Sequence, residues 1–495
     1  MAAHTRPSVH CEVLVAIEIE DKFDVPAEYE IPDLSDLKGC AAAVGPRTYS
    51  LVALYFDTPD LRLAARGITL RRRRGGDDSG WHLKLPKSKG VRQEITHPLT
   101  RSTKVVPQEL ADLVTVYTRG KELVPVAQLD TRRGVIRLMD AHGELLGEVA
   151  DDRVKGTVLG EPPVVSRWRE VEAELVKGDD ALLRRVGKKL RKAGAVPAAT
   201  ASKLGRLLGD AVPVKPEPPQ AGTAGAVVVD YFRSQVEHLI AHDGPVRRAE
   251  HDAVHQARVA CRRMRSALKA FKSLVEDTPE LQEELRWLGE VLGEVRDLEV
   301  IRARFAEHLD GLDENMIVGP IRARLGSDLE AKENLAYARV REAMSGERYF
   351  ALLDALEAPL PLTGKAAKSA EGTLEKIAGK EWLRVEGRYA TAQALEDPGE
   401  REIAMHDVRK AAKRARYTAE ALGLTKEAKR AESVQEVLGL HQDGVVAQQT
   451  LESEAEQARK VGEDTFTYGV LAGIEHATAE RAHRKFPSVW AKVTA

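Results

Sequence analysis

The chain has 495 residues, with 75 Lys and Arg set against 77 Asp and Glu, a net charge of -2, 31% charged residues and 43% hydrophobic ones. Such a length predicts two or three domains, the composition excludes an intrinsically disordered chain, and the near-zero balance excludes inferring a partner from overall charge. Three scattered cysteines, Cys11, Cys40 and Cys261, argue against a disulfide framework. Met1–Pro7 lead into no apolar segment, and nowhere do about twenty apolar residues run together, so the expectation is a cytoplasmic protein with no membrane span.

The texture changes once along the chain. Up to about Gly209, short alternating runs rich in β-branched residues are broken by Gly, Pro and Asp, which predicts mostly antiparallel sheet. Ala211 to Gly225 is Pro-dense and predicts a semi-rigid linker. Beyond it Ala, Leu, Glu, Arg and Lys recur at helical spacing to the end. The expected division is 1–210, a linker at 211–224, and a helical domain over 225–495.

In the first region, Glu18-Ile19-Glu20-Asp21-Lys22 places Glu18, Glu20 and Lys22 on one face of a strand. Like charges there repel unless a cation or solvent compensates them, and hard carboxylate oxygens suit a divalent cation. The strand at Leu70–Arg74 sends Arg71 and Arg73 one way, and Trp81–Leu85 does the same for His82 and Lys84. Arg92 and Glu94 alternate in the following run. Arg132-Arg133 with Arg137 come next, then Glu148 to Asp152, the triple Glu170, Glu172 and Glu174, and finally Lys203. Acids thus stand at both ends of the region and bases between. Such strands fit a sandwich with one wet face or a closed barrel with a charged lumen. Only the barrel gathers six or so bases beside paired carboxylates, the arrangement phosphoryl transfer requires.

These residues carry a resemblance. Glu-x-Glu-x-Lys at Glu18–Lys22, Tyr-Phe-Asp-Thr at Tyr55–Thr58, the Leu-Arg-x-Arg strand, Lys84, Arg-x-Glu at Arg92–Glu94 and the late Glu-x-Glu-x-Glu resemble the CYTH, or triphosphate tunnel metalloenzyme, family over about residues 10–210. The resemblance implies an eight-stranded antiparallel tunnel with flanking helices and metal-dependent hydrolysis of a triphosphate. It implies Mg²⁺ or Mn²⁺ held among Glu18, Glu20, Asp152, Glu170, Glu172 and Glu174. Phosphates would meet Lys22, Arg71, Arg73, Lys84, Arg92, Arg132, Arg133 and Lys203. Which of Arg132 and Arg133 faces inward stays open, because a bulge at Gly134 would reset the alternation. The catalytic set is Glu18, Glu20, Lys22, Glu94 and Glu172, with the general base open among Glu94, Glu172 and Glu174.

The helical half contains a repeat. His406, Arg409, Lys413, Arg414 and Arg416 follow His255, Arg258, Arg262, Arg263 and Arg265 at one constant offset, 151 residues. Leu292-Gly293-x-x-x-Asp297 likewise returns as Leu438-Gly439-x-x-x-Asp443. This predicts a duplicated multi-helix unit, with copies near 225–360 and 365–495. On a helix, His255, Arg258, Arg262, Arg265 and Lys269 share an arc of about 80°. The second copy repeats the arc, bordered by Tyr417. A solvated face normally mixes signs, since like charges at i,i+4 repel. An acid-free stripe in both copies points to a polyanion groove lined by His255, Arg258, Arg262, Arg263, Arg265, Lys269, His406, Arg409, Lys410, Lys413, Arg414, Arg416 and Tyr417. Aromatic interleaving is too sparse for nucleic acid. The repeat resembles the CHAD domain over about residues 225–495, which implies binding of inorganic polyphosphate.

The expectation is therefore an α+β chain: a tripolyphosphatase barrel joined to a helical bundle that binds long-chain polyphosphate, with tethering as a route to polyphosphate granules. The rival readings are a polyphosphate-binding scaffold without turnover and a class IV adenylate cyclase or other organic triphosphatase.

Overall fold

The computed structural model describes residues 14–88, 90–214 and 217–494; Cys11 and the Met1–Pro7 stretch lie outside them. The chain divides into two compact units, Met1–Lys215 and Pro216–Ala495, which are described separately. The class is α+β, and the boundary falls in the Pro-dense stretch.

In the first unit eight strands close on themselves: β1 (Leu14–Asp24), β2 (Ala42–Asp57), β3 (Thr69–Arg74), β4 (Gly80–Ser88), β5 (Val91–His97), β6 (Val124–Met139), β7 (Leu145–Val158) and β8 (Val164–Leu175). The order is β5-β4-β3-β2-β6-β7-β8-β1, and β1 pairs back onto β5, all antiparallel. A short β9 (Val196–Pro197) adds to the end of β1. Closure depends on β1 dividing its hydrogen bonds. Residues 14–19 pair with β5 and residues 20–24 with β8, and Glu20 N–H donates to Gly90 O (3.1 Å) at the handover. Since side chains alternate faces along a strand, closure sends one parity of every strand into the lumen.

The other parity packs outward under helices. Phe56, Leu70, Trp81, Leu83 and Ile95 meet Leu110 and Val114 of α1 (Gln108–Thr118), with the Trp81 ring 5.0 Å from that of Phe56. Phe23, Val149, Val171 and Ala173 meet Leu182, Val186 and Leu190 of α2 (Asp180–Lys192), whose first turn is capped by Asp179 accepting from Leu182 N–H (2.7 Å). Each such side chain contributes about 1.5–3 kcal/mol on burial. Within the Tyr-Phe-Asp-Thr motif the residues divide their tasks. Tyr55 faces inward and Phe56 outward, while buried Asp57 accepts from the backbone N–H groups of Thr58, Leu63 and Ala64 (2.7, 2.9 and 2.8 Å), fixing the turn that follows.

One end of the barrel is stoppered from inside. α3 (Lys203–Leu208) is capped by Ser202, which accepts from Gly205 N–H (3.0 Å), and inserts Leu204, Leu207 and Leu208 among the inward-facing Ala53, Tyr55, Ala127, Leu129 and Val154. Gly156 makes room for it: a Cβ there would stand 2.8 Å from Leu207 and 3.0 Å from Leu129.

The second unit is helical: α4 (Ala224–Arg247), α5 (Ala253–Ala270), α6 (Pro279–Asp310), α7 (Ile321–Ala323) running into one π turn (Arg324–Asp328), α8 (Leu329–Ala343), α9 (Glu347–Glu357), α10 (Thr373–Ala394), α11 (Pro398–Ala421), α12 (Thr425–Lys460) and α13 (Phe466–Thr494). The duplicated motifs sit on α5 and α6 and again on α11 and α12, and α5 packs against α11. Met264, Leu268, Phe271 and Val275 are buried, leaving the basic arc on the opposite side. Among the described residues no helix is long and apolar enough to cross a membrane.

Because Leu204 is fully buried under the barrel end, Leu204→Ala should destabilise the barrel by about 2–5 kcal/mol in urea unfolding, the range for cavity-forming core truncations.

Candidate active site and basic helical interface

The lumen encloses a cavity of about 270 Å³. It gathers Glu18, Glu20 and Lys22 from β1, Arg71 and Arg73 from β3, Lys84 from β4, Arg92 and Glu94 from β5, Arg133 from β6, Glu172 and Glu174 from β8, and Lys203 from α3. Arg132 points the other way, onto the outer wall. β6 runs against β7 without a shift from Ala127 to Leu138, so Gly134 carries no bulge and Arg133 is the inward residue. Asp152 and Glu170 have lumen parity but lie buried beneath the cavity at the stoppered end.

Ion pairs organise the interior. Lys203 Nζ lies 2.9 Å from Asp152, 2.8 Å from Glu170 and 2.7 Å from Glu172, while Arg133 reaches Asp152 and Glu172 at 2.6 Å. Lys84 holds Glu18 (2.5 Å), and Lys22 pairs with Glu172 and with Glu20 (3.0 Å). Burial alone would raise the Glu172 carboxyl, but Lys203, Lys22 and Arg133 outweigh it and hold the group well below the usual range. Glu174 has the opposite balance. Burial and then Glu18 push it up to about 7, only partly offset by Lys84, and it forms no ion pair of its own among the described residues. Burial, reinforced by Arg71 and Arg133, pulls Arg73 down to about 9. Burial likewise lowers His82 to about 4 despite its bond to Glu94 (2.9 Å), so this imidazole is neutral near pH 7.

The donor set fits a divalent cation at one end of this array. The buried trio Asp152, Glu170 and Glu172 offers three close oxygens, but the Lys203 ammonium already stands among them. Glu20 and Glu174 are direct cross-strand partners with Glu18 two residues along, and around Glu174 the carboxylates Glu18, Glu172 and Glu20 act against one cation, Lys84. Eight carboxylates and eight cationic side chains line the cavity, so the side chains alone supply no positive excess with which to attract a polyanion. Cations added among hard oxygen ligands would change that balance.

Sequence reasoning assigned no site role to several lining residues. Tyr49, Tyr55, Thr69, Arg137 and Glu148 share the inward parity of residues it did select, and parity alone would have found them. Asp77 and Asp78 belong to the turn after β3 and carry no such signal. Asp78 pairs with Arg73, and Asp77 accepts from the Tyr49 hydroxyl (2.8 Å) and lies 3.7 Å from Arg137.

In the helical unit, the arcs of α5 and α11 bring Arg258, Arg262, Arg409 and Lys413 together. Burial, with Arg409 and Arg262 beside it, pulls Lys413 down to about 7. The Nε–H groups of Arg262, Arg265 and Arg409 are buried without a hydrogen-bond partner among the described residues. The arc is not acid-free in three dimensions, because neighbouring positions supply acids. Arg258 donates to Asp297 (2.8 Å), Arg409 to Asp443 (3.4 Å), Arg263 to Glu420 (2.8 Å), Arg414 to Glu381 (2.5 Å) and Arg416 to Glu420 and Glu432 (2.7 and 2.8 Å). Lys410 is exposed and pairs with Asp407, and Lys269 is exposed at the end of α5. Tyr417 is buried under Arg263 and Arg416. His255 and His406 are half-buried and held below the ordinary imidazole value, chiefly by burial; His406 bonds Gln442 (3.2 Å).

The second repeated motif explains how two arginines are seated. The Arg258 guanidinium lies against Gly293, where a Cβ would come within 3.1 Å of it, and Arg409 lies against Gly439 at 3.3 Å. Glycine admits the flat group onto the helix, and the aspartate one turn later, Asp297 or Asp443, takes its N–H.

Two family models match the chain: the CYTH domain over residues 16–207 and the CHAD domain over residues 230–452. The uncharacterized protein Rv2226 of Mycobacterium tuberculosis is 37% identical over 510 residues, covering 99% of this chain and 97% of that protein. Among solved structures, PptA from Streptomyces chartreusis aligns with 54% of this chain and 99% of its own at 23% identity and TM-score 0.46. The CHAD domain from the plant Ricinus communis aligns with 57% of this chain and 96% of its own at 24% identity and TM-score 0.45. The chain belongs to the CYTH–CHAD proteins, and its barrel to the triphosphate tunnel metalloenzymes, which are metal-dependent and act on triphosphates.

Lys413 yields a pH signature. Its folded value is depressed from the ordinary 10.5 to about 7, so the associated stability is complete above the unfolded value and lost as pH falls through about 7. Thermal melts read at the helical far-UV signal should show this loss between about pH 10 and 6.5, and Lys413→Met should flatten it.

Proposed function

We propose that the barrel hydrolyses inorganic triphosphate in the presence of Mg²⁺ or Mn²⁺ and that the helical unit binds inorganic polyphosphate. One observation carries the reading: the guanidinium groups of Arg71 and Arg73 line the lumen and those of Arg262 and Arg265 the groove, each with a buried Nε–H that has no acceptor among the described residues. A buried donor left unmade costs about 1–3 kcal/mol, so such a set favours a ligand rich in oxygen acceptors. Phosphate chains present acceptors all along their length.

In the tunnel, Arg71 has the Tyr55 hydroxyl (3.4 Å) and, among the described residues, no ion pair with a carboxylate, so a phosphoryl group gains its charge without first breaking one. Arg73, Arg133 and Lys203 add further donors to the lumen. A divalent cation bound by Glu18, Glu20 and Glu174, with Glu172 adjoining, would supply Lewis-acid polarisation of phosphoryl oxygens and activation of water. The protein holds the chain in line and excludes bulk water, which is most of what phosphoryl transfer asks of it. The lining is polar, and its aromatic members Tyr49 and Tyr55 are engaged through their hydroxyls, so the phosphate portion is what this cavity recognises. This supports inorganic triphosphate over a nucleotide.

Phosphate release from tripolyphosphate with Mg²⁺ or Mn²⁺ tests the enzyme, and Glu20→Ala should lower turnover on the order of a hundredfold or more. A parent protein that releases no phosphate with either metal, or that forms cyclic AMP from ATP instead, overturns the assignment.

The groove is tested by a cycle. Gly293→Ala should weaken long-chain polyphosphate binding by displacing the guanidinium, and it should add nothing in an Arg258→Ala background. Additive losses would mean that the glycine acts on packing and not through the arginine.

A further inference from the structure

The outside of the barrel is covered in two sectors and open in a third. α1 lies over the outward residues of β2 to β5, and α2 over those of β1, β8 and the neighbouring ends of β6 and β7. Between them the outward faces of the middle of β2, β6, β7 and β8 form a shallow hollow of about 860 Å³. Arg132, Arg153, Lys155 and Arg167 line it and are exposed.

Their placement is not that of an ordinary wet face. Arg132 stands directly across the ladder from Arg153, Arg153 from Arg169, and Lys155 from Arg167. Like charges directly opposite destabilise a sheet, and wet sheet faces ordinarily pair opposite signs there. Arg169 is compensated by Asp151 (2.8 Å), whereas Arg132, Arg153, Lys155 and Arg167 form no ion pair among the described residues. The one acid in the hollow, Asp130, stands directly across the ladder from Lys155 without forming an ion pair with it, and accepts instead from Gln128 (3.1 Å).

We infer that this open basic wall, formed by Arg132, Arg153, Lys155 and Arg167, is a separate binding site for a linear inorganic polyphosphate chain, distinct from the tunnel and from the helical groove. Strand spacing sets neighbouring cations about 4.8 Å apart across the ladder, a row that a flexible chain of phosphates follows without a defined register. The lining argues against nucleic acid. Its aromatic side chain, Trp168, has one ring face covered by the Arg206 guanidinium at 5.3 Å, its indole N–H bonded to Glu170 (2.5 Å), and its ring packed against the apolar cluster at the barrel end, which disfavours stacking of a base.

The experiment uses the full chain in four forms: parent; a wall variant, Arg153→Gln, Lys155→Gln and Arg167→Gln; a groove variant, Arg258→Gln, Arg262→Gln and Arg409→Gln; and both combined. Long-chain inorganic polyphosphate is titrated over a range of salt concentrations, with a single-stranded RNA of equal charge in parallel and thermal melts to establish folding. The wall changes in the groove-variant background should weaken polyphosphate binding on the order of tenfold or more and make its salt dependence shallower. Unchanged affinity and slope in that background overturn the inference while leaving the groove reading intact. Chain binding that survives the groove changes and disappears with the wall changes removes the groove reading and sustains this one. RNA bound to the wall as tightly as polyphosphate overturns the choice of ligand.

Discussion

The structure of the barrel rests on how β1 shares its hydrogen bonds. Its first half belongs to β5 and its second to β8, and this divided allegiance turns an open sheet with a charged face into a closed lumen. Once closed, acids and bases that water would otherwise solvate must compensate each other. Lys203 among Asp152, Glu170 and Glu172, Arg133 across two of the same carboxylates, and Lys84 on Glu18 are the result. Buried pairs of this kind add little net stability over apolar packing, and removing one partner is costly. Their retention inside a cavity, instead of a packed apolar interior, is consistent with selection for a ligand.

Much of this was legible because strand alternation is a local property. Glu18, Glu20 and Lys22, Arg71 and Arg73, and Glu172 and Glu174 share a face in any extended chain, and closure decided only that the face is interior. The ambiguity at Arg132 and Arg133 arose from a local question too, since one extra residue in the ladder would have exchanged them. What the alternation could not show was depth. Glu170 and Glu174 have the same parity, yet the first is compensated by Lys203 and the second is left among like charges, because α3 enters at one end only.

The helical unit was harder to read for a different reason. The acid-free stripe took in only the arc itself; off that arc on α11, Asp407 pairs with Lys410, and Glu420, one turn past Arg416, pairs with Arg416. Asp297, Asp443, Glu381 and Glu432 lie on other helices and were invisible to it. Arg263, Arg414 and Arg416 therefore engage acids in their surroundings, while Arg262 and Lys413 stay short of partners where the two copies meet. The repeated Leu-Gly-x-x-x-Asp element was visible as a pattern, but its use, a flat seat for an arginine from the preceding helix, is a tertiary fact.

The stopper formed by α3 has a topological meaning for a polymer. With Leu204, Leu207 and Leu208 closing one end, the barrel is a blind sac and not a thoroughfare. A filament cannot be threaded through it; whatever enters by the mouth must back out the same way. On the function proposed above, such a vessel would take short anions and the free tips of longer ones, one encounter at a time.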